Sequence, residues 1–489
     1  MIDFHNIEDM PDVYNHDDYL EAVLAYNKND VEATKALYYK YKYEIDLRKT
    51  LSKIEDVNLI NSTEPNMAKK IFGKHLSKAM GISTFELSKL GTDRDEVLFE
   101  DIILPCISFE SNILNQVLNK FKKDCYSRFE PFSILYSGIT HSFGLGGLHS
   151  FGSPGIHKSD TNYIIKSADV KSYYPNLIIR NKFCPEHIPS HIFHELYEGY
   201  YNQRINIPKS DPRNYIFKIL LNSTYGLTND KYSFLRDLKV TMQVTINGQL
   251  LLLKLAEMLC SIPDSTLLMC NTDGLEIKIP RDKEVEYNNL CSEWEKLTNL
   301  ELEHDEYNTL IARDINNYIA EYTNGKTKCK GAFEYENIPL HKNKSFSIIP
   351  RAVHDYFIKD IPIENTIYNH KNIFDFCGGV RAKSSEVRGS SKFMIYKVEN
   401  GNVVEEKLSK TVRYFISKKG GTLYKVYSNG SREHVEAPIK KGRQKRDWKV
   451  TIFNRYYQSN DYDIDYQYYI HKANELIYSI YTPNQIQLL

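Results

Sequence analysis

Residues 163–175 read YIIKSADVKSYYP, an apolar run that leads to an acidic residue, a tyrosine pair and a proline. Residues 163–170 have the composition of a β-strand, and Asp169 stands at its end. A carboxylate just past a buried strand is held rigidly and stays open to solvent, which suits a metal ligand. An aspartate at a strand end is more often a solvated cap, so the rest of the chain must decide its role.

A second acidic residue occupies the turn of a predicted β-hairpin. Residues 265–279, STLLMCNTDGLEIKI, form two short apolar runs around Asp273. Most Asp-Gly turns are purely structural. Mg²⁺, however, prefers one or two carboxylates together with water and phosphate oxygens. Asp169 and Asp273 would therefore suffice for two-metal phosphoryl transfer if the fold brings them together.

Predicted helices surround these two segments. Residues 191–206 and 211–226 are predicted to form a helical hairpin, because prolines interrupt the chain between them. Further helices are predicted at 17–50 and 242–260. Residues 140–160 are rich in Gly, Ser and His and are predicted to be loop. After about residue 335 the chain becomes more basic and less periodic.

Composition limits the class of protein. The 489 residues suffice for two to four units, and 42% are apolar. Lys plus Arg equals Asp plus Glu, at 63 each, so any affinity for DNA must come from local basic patches. The eight cysteines contain no C-x-x-C pair, which argues against a zinc or iron–sulfur module. The chain lacks a signal peptide and an apolar run long enough for a bilayer, which predicts a cytoplasmic protein without a membrane partner.

Three motifs resemble those of family B DNA polymerases, in the family's order and near its spacing. DVKSYYP at 169–175 resembles D-x-x-S-L-Y-P, and KILLNSTYG at 218–226 resembles K-x-x-x-N-S-x-Y-G. CNTDG at 270–274 resembles the Y-x-D-T-D-S hairpin. The resemblance covers the chain from about residue 17 to its end. It departs at Asn271, where the family has an aspartate, while the aspartate that bridges both metals is kept as Asp273.

The resemblance implies an α+β fold with a right-handed palm, fingers and thumb, in which helices back an antiparallel palm sheet. Its implied divisions are an exonuclease remnant or docking helix (1–50), an N-terminal palm-associated region with a Gly-rich template loop (51–162), the palm with the first catalytic strand (163–190), the fingers helical hairpin (191–228), the palm with the catalytic hairpin and a lysine motif (229–335), and the thumb (336–489).

The resemblance also implies the roles of the site residues. Asp169 and Asp273 are expected to bind two Mg²⁺ ions, for which Mn²⁺ can substitute, with the carbonyl of Val170 as a further ligand. Tyr174 matches the aromatic gate that excludes a 2′-hydroxyl. Arg204 is expected to bind the triphosphate, and its structural alternative is a solvated arginine on a fingers helix. The remaining nucleotide-binding residues expected are Ser172, Tyr173, Lys218, Asn222 and Tyr225, of which the last three share one helix face.

Three segments are expected to contact DNA. The Gly-rich loop contributes Gly146, Gly147 and His149. The lysine motif contributes Lys328 and Lys330, and it follows the stretch DINNYIAEY, which is predicted to be a strand. The basic run at 439–446 contributes Arg443, Lys445 and Arg446. Each segment has a structural alternative, namely a flexible linker, a solvated strand edge and a solvated loop.

An additional motif lies near the N-terminus. YNKND, from Tyr26 to Asp30, resembles the third exonuclease motif Y-x-x-x-D on its helix. A complete exonuclease site is not expected in this chain. One hypothesis is a split polymerase in which a separate exonuclease subunit is completed in trans by Asp30; the others are a lost exonuclease and a truncated chain. The apolar stripe that Leu20, Val23, Leu24 and Val31 form on this helix is predicted to be buried against something.

The resemblance implies DNA-directed DNA synthesis from dNTPs on primer–template DNA. The expected role is the replication of a virus. If that virus is a bacteriophage, the protein is expected in the cytoplasm of the infected cell. Processivity and helicase factors are expected partners. One alternative is a non-catalytic polymerase-fold subunit that binds DNA, which the presence of both aspartates opposes. A second is an RNA-synthesising or primase-like enzyme, for which a small residue would be expected in place of Tyr174.

Overall fold

The computed structural model describes residues 16–339, 342–441, 444–455, 457–459 and 461–481. Helices and largely antiparallel sheets make up these residues, so the predicted α+β class is confirmed. The chain divides into two units. The larger unit comprises residues 43–316 and 320–328, and the smaller comprises the described residues up to Lys42, Asn317–Ile319 and the described residues from Cys329 onward.

The helices are interspersed with the strands along the chain. In order they are α1 (His16–Lys40), α2 (Lys42–Glu55), α3 (Glu64–Met80), α4 (Thr84–Leu87), α5 (Asn112–Lys122), α6 (Tyr173–Arg180), α7 (Ser190–Asn206), α8 (Pro212–Asn229), α9 (Leu238–Cys260), α10 (Glu284–Thr298), α11 (Ile348–Lys359), α12 (Ile363–Asn369) and α13 (Tyr466–Tyr478). Within the described part of the chain, no helix is long and apolar enough to cross a membrane.

The strands fall into an early group and a late group. The early group is β1 (Phe132–Tyr136), β2 (Ile139–Phe143), β3 (His149–Phe151), β4 (Gly155–Lys158), β5 (Tyr163–Val170), β6 (Thr266–Asn271), β7 (Gly274–Pro280), β8 (Leu302–Asp314), β9 (Asn317–Tyr322) and β10 (Thr327–Cys329). The late group is β11 (Cys377–Arg381), β12 (Ser391–Glu399), β13 (Asn402–Leu408), β14 (Thr411–Tyr427), β15 (Arg432–His434), β16 (Ile439–Lys441), β17 (Gln444–Arg446) and β18 (Val450–Ile452).

The early strands form one sheet, ten-stranded over the described residues, in the order β1-β2-β3-β6-β7-β5-β8-β9-β10, with β4 beside β8. Every pair in it with a described register is antiparallel. β5 lies between β7 and β8, so its last residues are flanked by a strand on either side.

Helix α9 is the core helix of the larger unit. The run Leu250–Leu253 on it is buried, and the indole of Trp294 on α10 donates a hydrogen bond of 2.9 Å to the Leu251 carbonyl. The helix begins where the Asp237 side chain accepts from the Lys239 amide, a standard N-cap. A helix that is apolar on nearly all sides must be enclosed, and α9 meets that condition.

The prediction of a continuous loop at 140–160 is wrong, because β2, β3 and β4 lie there. In β2, buried His141 and Phe143 alternate with exposed Thr140 and Ser142, so the polar composition hid a two-residue period. The helix predicted at 17–50 is confirmed, with one break at Tyr41 that separates α1 from α2. The strand, the hairpin and the helices predicted at 163–279 are confirmed.

The late strands form a sheet that is six-stranded over the described residues. Its order is β11-β14-β12-β13, and β15 and β18 also pair with the long strand β14. α13 packs on α11 and α12, and the hydroxyl of Tyr469 on α13 donates 2.7 Å to the Phe376 carbonyl just before β11. This stretch was predicted to be less regular than it is.

The apolar stripe of α1 is open to solvent. Leu20, Leu24 and Val31 are 50%, 58% and 63% exposed, so the described residues do not provide the burial that we predicted for them. Asp30 is half-buried on the same helix, and the side chain of Tyr26 lies outside what the structure describes.

Candidate active site

Asp169 and Asp273 lie next to one another at one end of the central strands. β5 runs antiparallel to β7, with Asp169 opposite Gly274, the residue that follows Asp273. The Val170 amide donates a hydrogen bond of 2.7 Å to the Asp273 carbonyl, which ties the hairpin turn to the end of β5. The Asp169 side chain is half-buried and Asp273 is exposed. The fold therefore brings together the two carboxylates that the sequence singled out.

The backbone is strained on both sides of this pair. Thr272, in the hairpin turn, has φ +60°, and Ser172, which caps α6, has φ +46°. Both lie in the left-handed region, which is unfavourable for residues other than glycine and most of all for a β-branched one. Such strain is concentrated at functional sites, where the surrounding structure holds it in place.

Gly274 leaves room for the Asp169 carboxylate. A Cβ atom at Gly274 would overlap that carboxylate and would lie 3.0 Å from the Ala168 carbonyl. The glycine is therefore explained by close approach as well as by the turn.

Acidic side chains form rows on one face of the sheet, because residues paired across antiparallel strands point the same way. The first row contains Gly274, Asp169 and Glu303. The second row contains Glu276, Ser167 and Asp305. The third row, Lys278, Ile165 and Tyr307, contains no acid. Buried Glu276 Oε2 has no hydrogen-bond partner among the described residues.

The electrostatics reflect this crowding. Burial, and then the charge of Asp273, raise the pKa of Asp169 to about 6. Burial, and then the charge of Asp169, raise the pKa of Glu276 to about 8. The positive charge of Lys328 opposes both shifts, so that lysine lies near the two carboxyl groups. An additional cation at this face would be favourable.

A cavity of about 660 Å³ is lined by Asp273 and by Val170, the residue that follows Asp169. Three cationic side chains line it, on Lys171, Arg204 and Lys209. Arg204 Nη1 donates to the Ser172 hydroxyl at 3.4 Å, which places this predicted triphosphate ligand beside the strained cap of α6. The Asn214 amide bonds the Arg204 and Ile207 carbonyls at 3.0 Å and so fixes the connection between α7 and α8.

The tyrosines of the first motif have different surroundings. Tyr174 lines the cavity, and its ring lies 4.8 Å from that of Tyr225 on α8. The Tyr173 ring is buried, and its hydroxyl donates 2.7 Å to the Gly248 carbonyl. Tyr174 thus faces the cavity, whereas the Tyr173 side chain holds α6 against α9.

The other α8 residues are only partly gathered at the cavity. Asn222 lines it, as the prediction requires. Lys218, one turn earlier, is exposed on α8 and is outside the cavity lining.

The Gly-rich segment packs on the turn of the β6–β7 hairpin. The Thr272 amide donates 2.9 Å to the Leu148 carbonyl, and Thr272 Oγ1 lies 3.4 Å from His149 Nε2. A Cβ at Gly147 would lie 2.6 Å from Thr272 Oγ1, whereas one at Gly146 would meet nothing within 4 Å. Gly147 therefore has a packing reason for being glycine, independent of DNA.

The remaining predicted DNA contacts are dispersed. Lys328 lies in β10 and is half-buried, and Lys330 is exposed just after that strand. The preceding stretch DINNYIAEY contains a turn, with β8 ending at Asp314 and β9 beginning at Asn317. Arg443 lies outside the described residues, and β17 carries Lys445 and Arg446, whose side chains are not described.

Sequence reasoning missed Lys171, Lys209, Glu276 and Glu303. The alternating acids of residues 301–306, ELEHDE, were a usable signal, since a period of two places Glu303 and Asp305 on one strand face. The burial of Glu276 depends on sheet register, which no local pattern reveals.

A larger cavity, of about 860 Å³, lies in the smaller unit. The carboxylate that lines it, Asp375, already accepts from the Ser347 hydroxyl at 2.8 Å and contacts His370 at 2.6 Å. This carboxylate is thus engaged in structure, and the chemistry points to the cavity beside Asp169.

Comparison with known proteins adds a likeness in structure only. No protein-family model matches the chain, and no curated protein matches it. Among solved structures, it is similar to the family B DNA polymerase from the hyperthermophilic archaeon Pyrobaculum calidifontis, with 13% identity and a TM-score of 0.46. The match covers 95% of this chain and 57% of that polymerase.

Proposed function

We propose that this chain is a DNA-directed DNA polymerase that transfers nucleotides from dNTPs to a primer 3′-hydroxyl. The observation that carries the proposal is the juxtaposition of Asp169 and Asp273 beside a cavity lined by Lys171, Arg204 and Lys209. Carboxylates that can hold divalent cations, next to cations that can hold a triphosphate, are the parts that phosphoryl transfer needs.

The donor set suits Mg²⁺. No three His, Cys, Asp or Glu side chains of the described chain form a ready-made metal cage. Mg²⁺ does not require one, because it keeps waters and takes phosphate oxygens beside one or two carboxylates. The pKa of Asp169 is raised by burial and then by the charge of Asp273, and these neighbouring negative charges favour a cation at the site. Asp169, Asp273 and the Val170 carbonyl would hold the ions, which activate the hydroxyl and neutralise the leaving pyrophosphate.

The chain's own residues bind and select the nucleotide in this proposal. Arg204, Lys171 and Lys209 neutralise the triphosphate, and Asn222 contributes a polar group from α8. The Tyr174 ring, which packs against that of Tyr225, contacts the sugar in this proposal and excludes a 2′-hydroxyl. The choice of dNTPs over rNTPs therefore follows from contact with the Tyr174 ring, which the Tyr225 ring supports.

The test is primer extension with Asp169→Asn and Asp273→Asn. Each change keeps the side-chain size and removes a charged ligand, so we expect the extension rate to fall roughly a thousandfold. Asp305→Asn is the matched control, because Asp305 is an exposed acid on the same sheet face, and it should extend primers near the wild-type rate. Wild-type rates in either aspartate variant would refute the assignment.

The same assay separates the alternatives. A non-catalytic DNA-binding subunit would bind primer–template and never extend it. An RNA-synthesising or primase-like enzyme would prefer rNTPs to dNTPs, or would start chains without a primer. Extension from a primer that is faster with dNTPs than with rNTPs, together with no synthesis in the absence of a primer, excludes both.

We also propose a separate exonuclease subunit completed by Asp30, within a viral replication machinery that includes processivity and helicase factors. The exposed Leu20, Leu24 and Val31 beside half-buried Asp30 support a docking role for α1. The test measures 3′–5′ degradation by the isolated complex with wild-type chain, Asp30→Ala and, as control, Asn27→Ala. Equal degradation in all three contradicts this hypothesis without affecting the polymerase assignment.

A further inference from the structure

The smaller unit presents a face of its sheet that combines aromatic rings with cations. This platform consists of Lys392, Met394 and Tyr396 on β12, Tyr424 on β14, and Arg432 and His434 on β15. Lys392 and Arg432 are exposed, and the other four residues are half-buried.

Strand register shows that these residues share one face. Met394 lies opposite Tyr424, and Tyr424 lies opposite His434 on its other side. The intervening residues Phe393 and Ile395 are buried, at 1% and 0% exposure, so the opposite face of the sheet is its core face. The platform is therefore the side of the sheet that is turned away from the core.

The rings form a contiguous cluster. The centroids of Tyr396 and Tyr424 are 5.0 Å apart, and those of Tyr424 and His434 are 4.4 Å apart. The Arg432 guanidinium lies 5.7 Å from the first tyrosine ring and 5.6 Å from the second. Tyrosine rings and guanidinium planes are the groups on which unpaired nucleobases stack.

The segment of sequence that contains the platform is strongly basic, which favours a polyanion. Residues 381–449 contain 18 Lys and Arg against 7 Asp and Glu, a net charge of +11 in a chain whose total is zero. Two acids oppose this locally. Glu405 lies opposite Tyr396 on the neighbouring strand. Asp447 is the second acid, and its charge adds to burial in raising the pKa of Tyr424. Lys407, which lies opposite Met394, adds a cation on the same edge as Glu405.

We propose that the platform binds single-stranded DNA, with bases stacked on Tyr396, Tyr424 and Arg432 and phosphates held by the neighbouring lysines. A duplex hides the faces of its bases and offers these rings nothing to stack on, so a single strand is the form that fits. The choice of DNA over RNA rests on the proposed polymerase function, in which a single-stranded template must be held.

The first experiment measures binding of a fluorescent oligo-dT to the full chain by anisotropy, without metal. The double variant Tyr396→Ala/Tyr424→Ala should bind the oligonucleotide at least about tenfold more weakly, because the bases lose the rings on which they stack. The Tyr396→Phe/Tyr424→Phe variant keeps both rings and should bind as wild type does. Tyr478→Ala, which removes a 46% exposed tyrosine from α13, is the matched control and should not change binding.

The second experiment measures salt dependence. Lys392→Gln should lower the slope of log K against log salt by about 0.7, the value for one phosphate contact on a single strand. Lys371→Gln, an exposed lysine outside the sheet, should leave the slope unchanged.

Parallel titrations with duplex DNA and single-stranded RNA decide the occupant. A loss in the alanine variant that is largest for single-stranded DNA supports the proposal, provided that the variant melts like wild type. An unchanged affinity for oligo-dT, or a larger loss for duplex or RNA, overturns it. If the alanine variant melts at a different temperature from the wild type, the phenylalanine variant and Lys392→Gln decide the question, because both keep the packing of the sheet. Because binding is read without metal or dNTPs, its outcome is independent of whether the chain extends primers.

Discussion

Glu276 shows how one residue can couple stability to the candidate site. Its carboxyl is buried in the second row of the acidic face, on the strand next to that of Asp169 and one row away from it, and one of its oxygens has no partner among the described residues. Its pKa is raised to about 8 from an ordinary 4.5, so the folded protein disfavours its charged form.

The sign of the resulting pH dependence follows from linkage. Between about pH 4.5 and pH 8 the unfolded chain has lost this proton and the folded chain keeps it, so the free energy of unfolding falls as pH rises. Glu276→Gln cannot ionise and removes that cost. We expect its melting temperature in EDTA to exceed the wild-type value at pH 8 and to converge with it near pH 5.

Asp305→Asn provides the control, since it removes an exposed acid from the same row. It should not reproduce the pH-dependent gain. A Glu276→Gln variant that melts with the wild type at every pH would contradict the neutral, buried carboxyl.

Tyr174 carries a prediction about sugar selection. Tyr174→Ala opens space beside Tyr225, so the preference for dNTPs over rNTPs should fall by roughly ten- to a hundredfold in single-turnover assays. Tyr174→Phe keeps the ring and should keep the preference. An unchanged ratio in the alanine variant would place the sugar elsewhere.

The elements that the sequence predicted well are those whose own pattern is strong. β5 and the β6–β7 hairpin have apolar runs bounded by turn residues, and α7 and α8 are separated by prolines, so local chemistry was enough. The strands at 139–158 were missed because their pairing depends on partners far along the chain, with β3 beside β6 and β4 beside β8. Lys171 and Lys209 were missed for the same reason, since a cavity exists only after the elements pack.

The contact between the Gly-rich loop and the hairpin turn gives a matched pair of variants. Gly147→Ala places a Cβ 2.6 Å from Thr272 Oγ1 and should displace the turn that carries Asp273. We expect the extension rate to fall about tenfold or more while the affinity for primer–template stays near wild type. Gly146→Ala, with open space around it, should behave as wild type. If both variants instead lose DNA affinity, the loop is a DNA contact rather than a support for the hairpin.

Strand β10 and the residue after it offer a second pair. Lys330 is exposed, so Lys330→Ala should lower the salt slope of duplex binding by about 0.9 without changing the single-turnover rate at saturating DNA. Lys328 lies near Asp169 and Glu276, so Lys328→Ala should lower that rate as well. Identical behaviour of the two variants would show that both lysines serve only the phosphate backbone.

At the scale of the whole molecule, the class of fold and the pair of carboxylates were predictable from the sequence, whereas the structure of the residues beyond 335 was predicted poorly. Those residues seemed irregular because long strands such as β13 are exposed along most of their length and lack an apolar alternation. Their order comes from pairing with β12 and from the helices α11 to α13, which no window of sequence contains. The palm, fingers and thumb boundaries remain predictions.

The segregation of charge has a consequence for handling the protein. With +11 in residues 381–449, the rest of the chain must carry −11, although the sequence pI is near 7.2. A protein of this kind does not behave as a neutral particle, because an ion exchanger contacts one region at a time. At pH 7 and low ionic strength it should be retained by both cation- and anion-exchange resins, and moderate salt should release it from each as the Debye length shortens below about 10 Å.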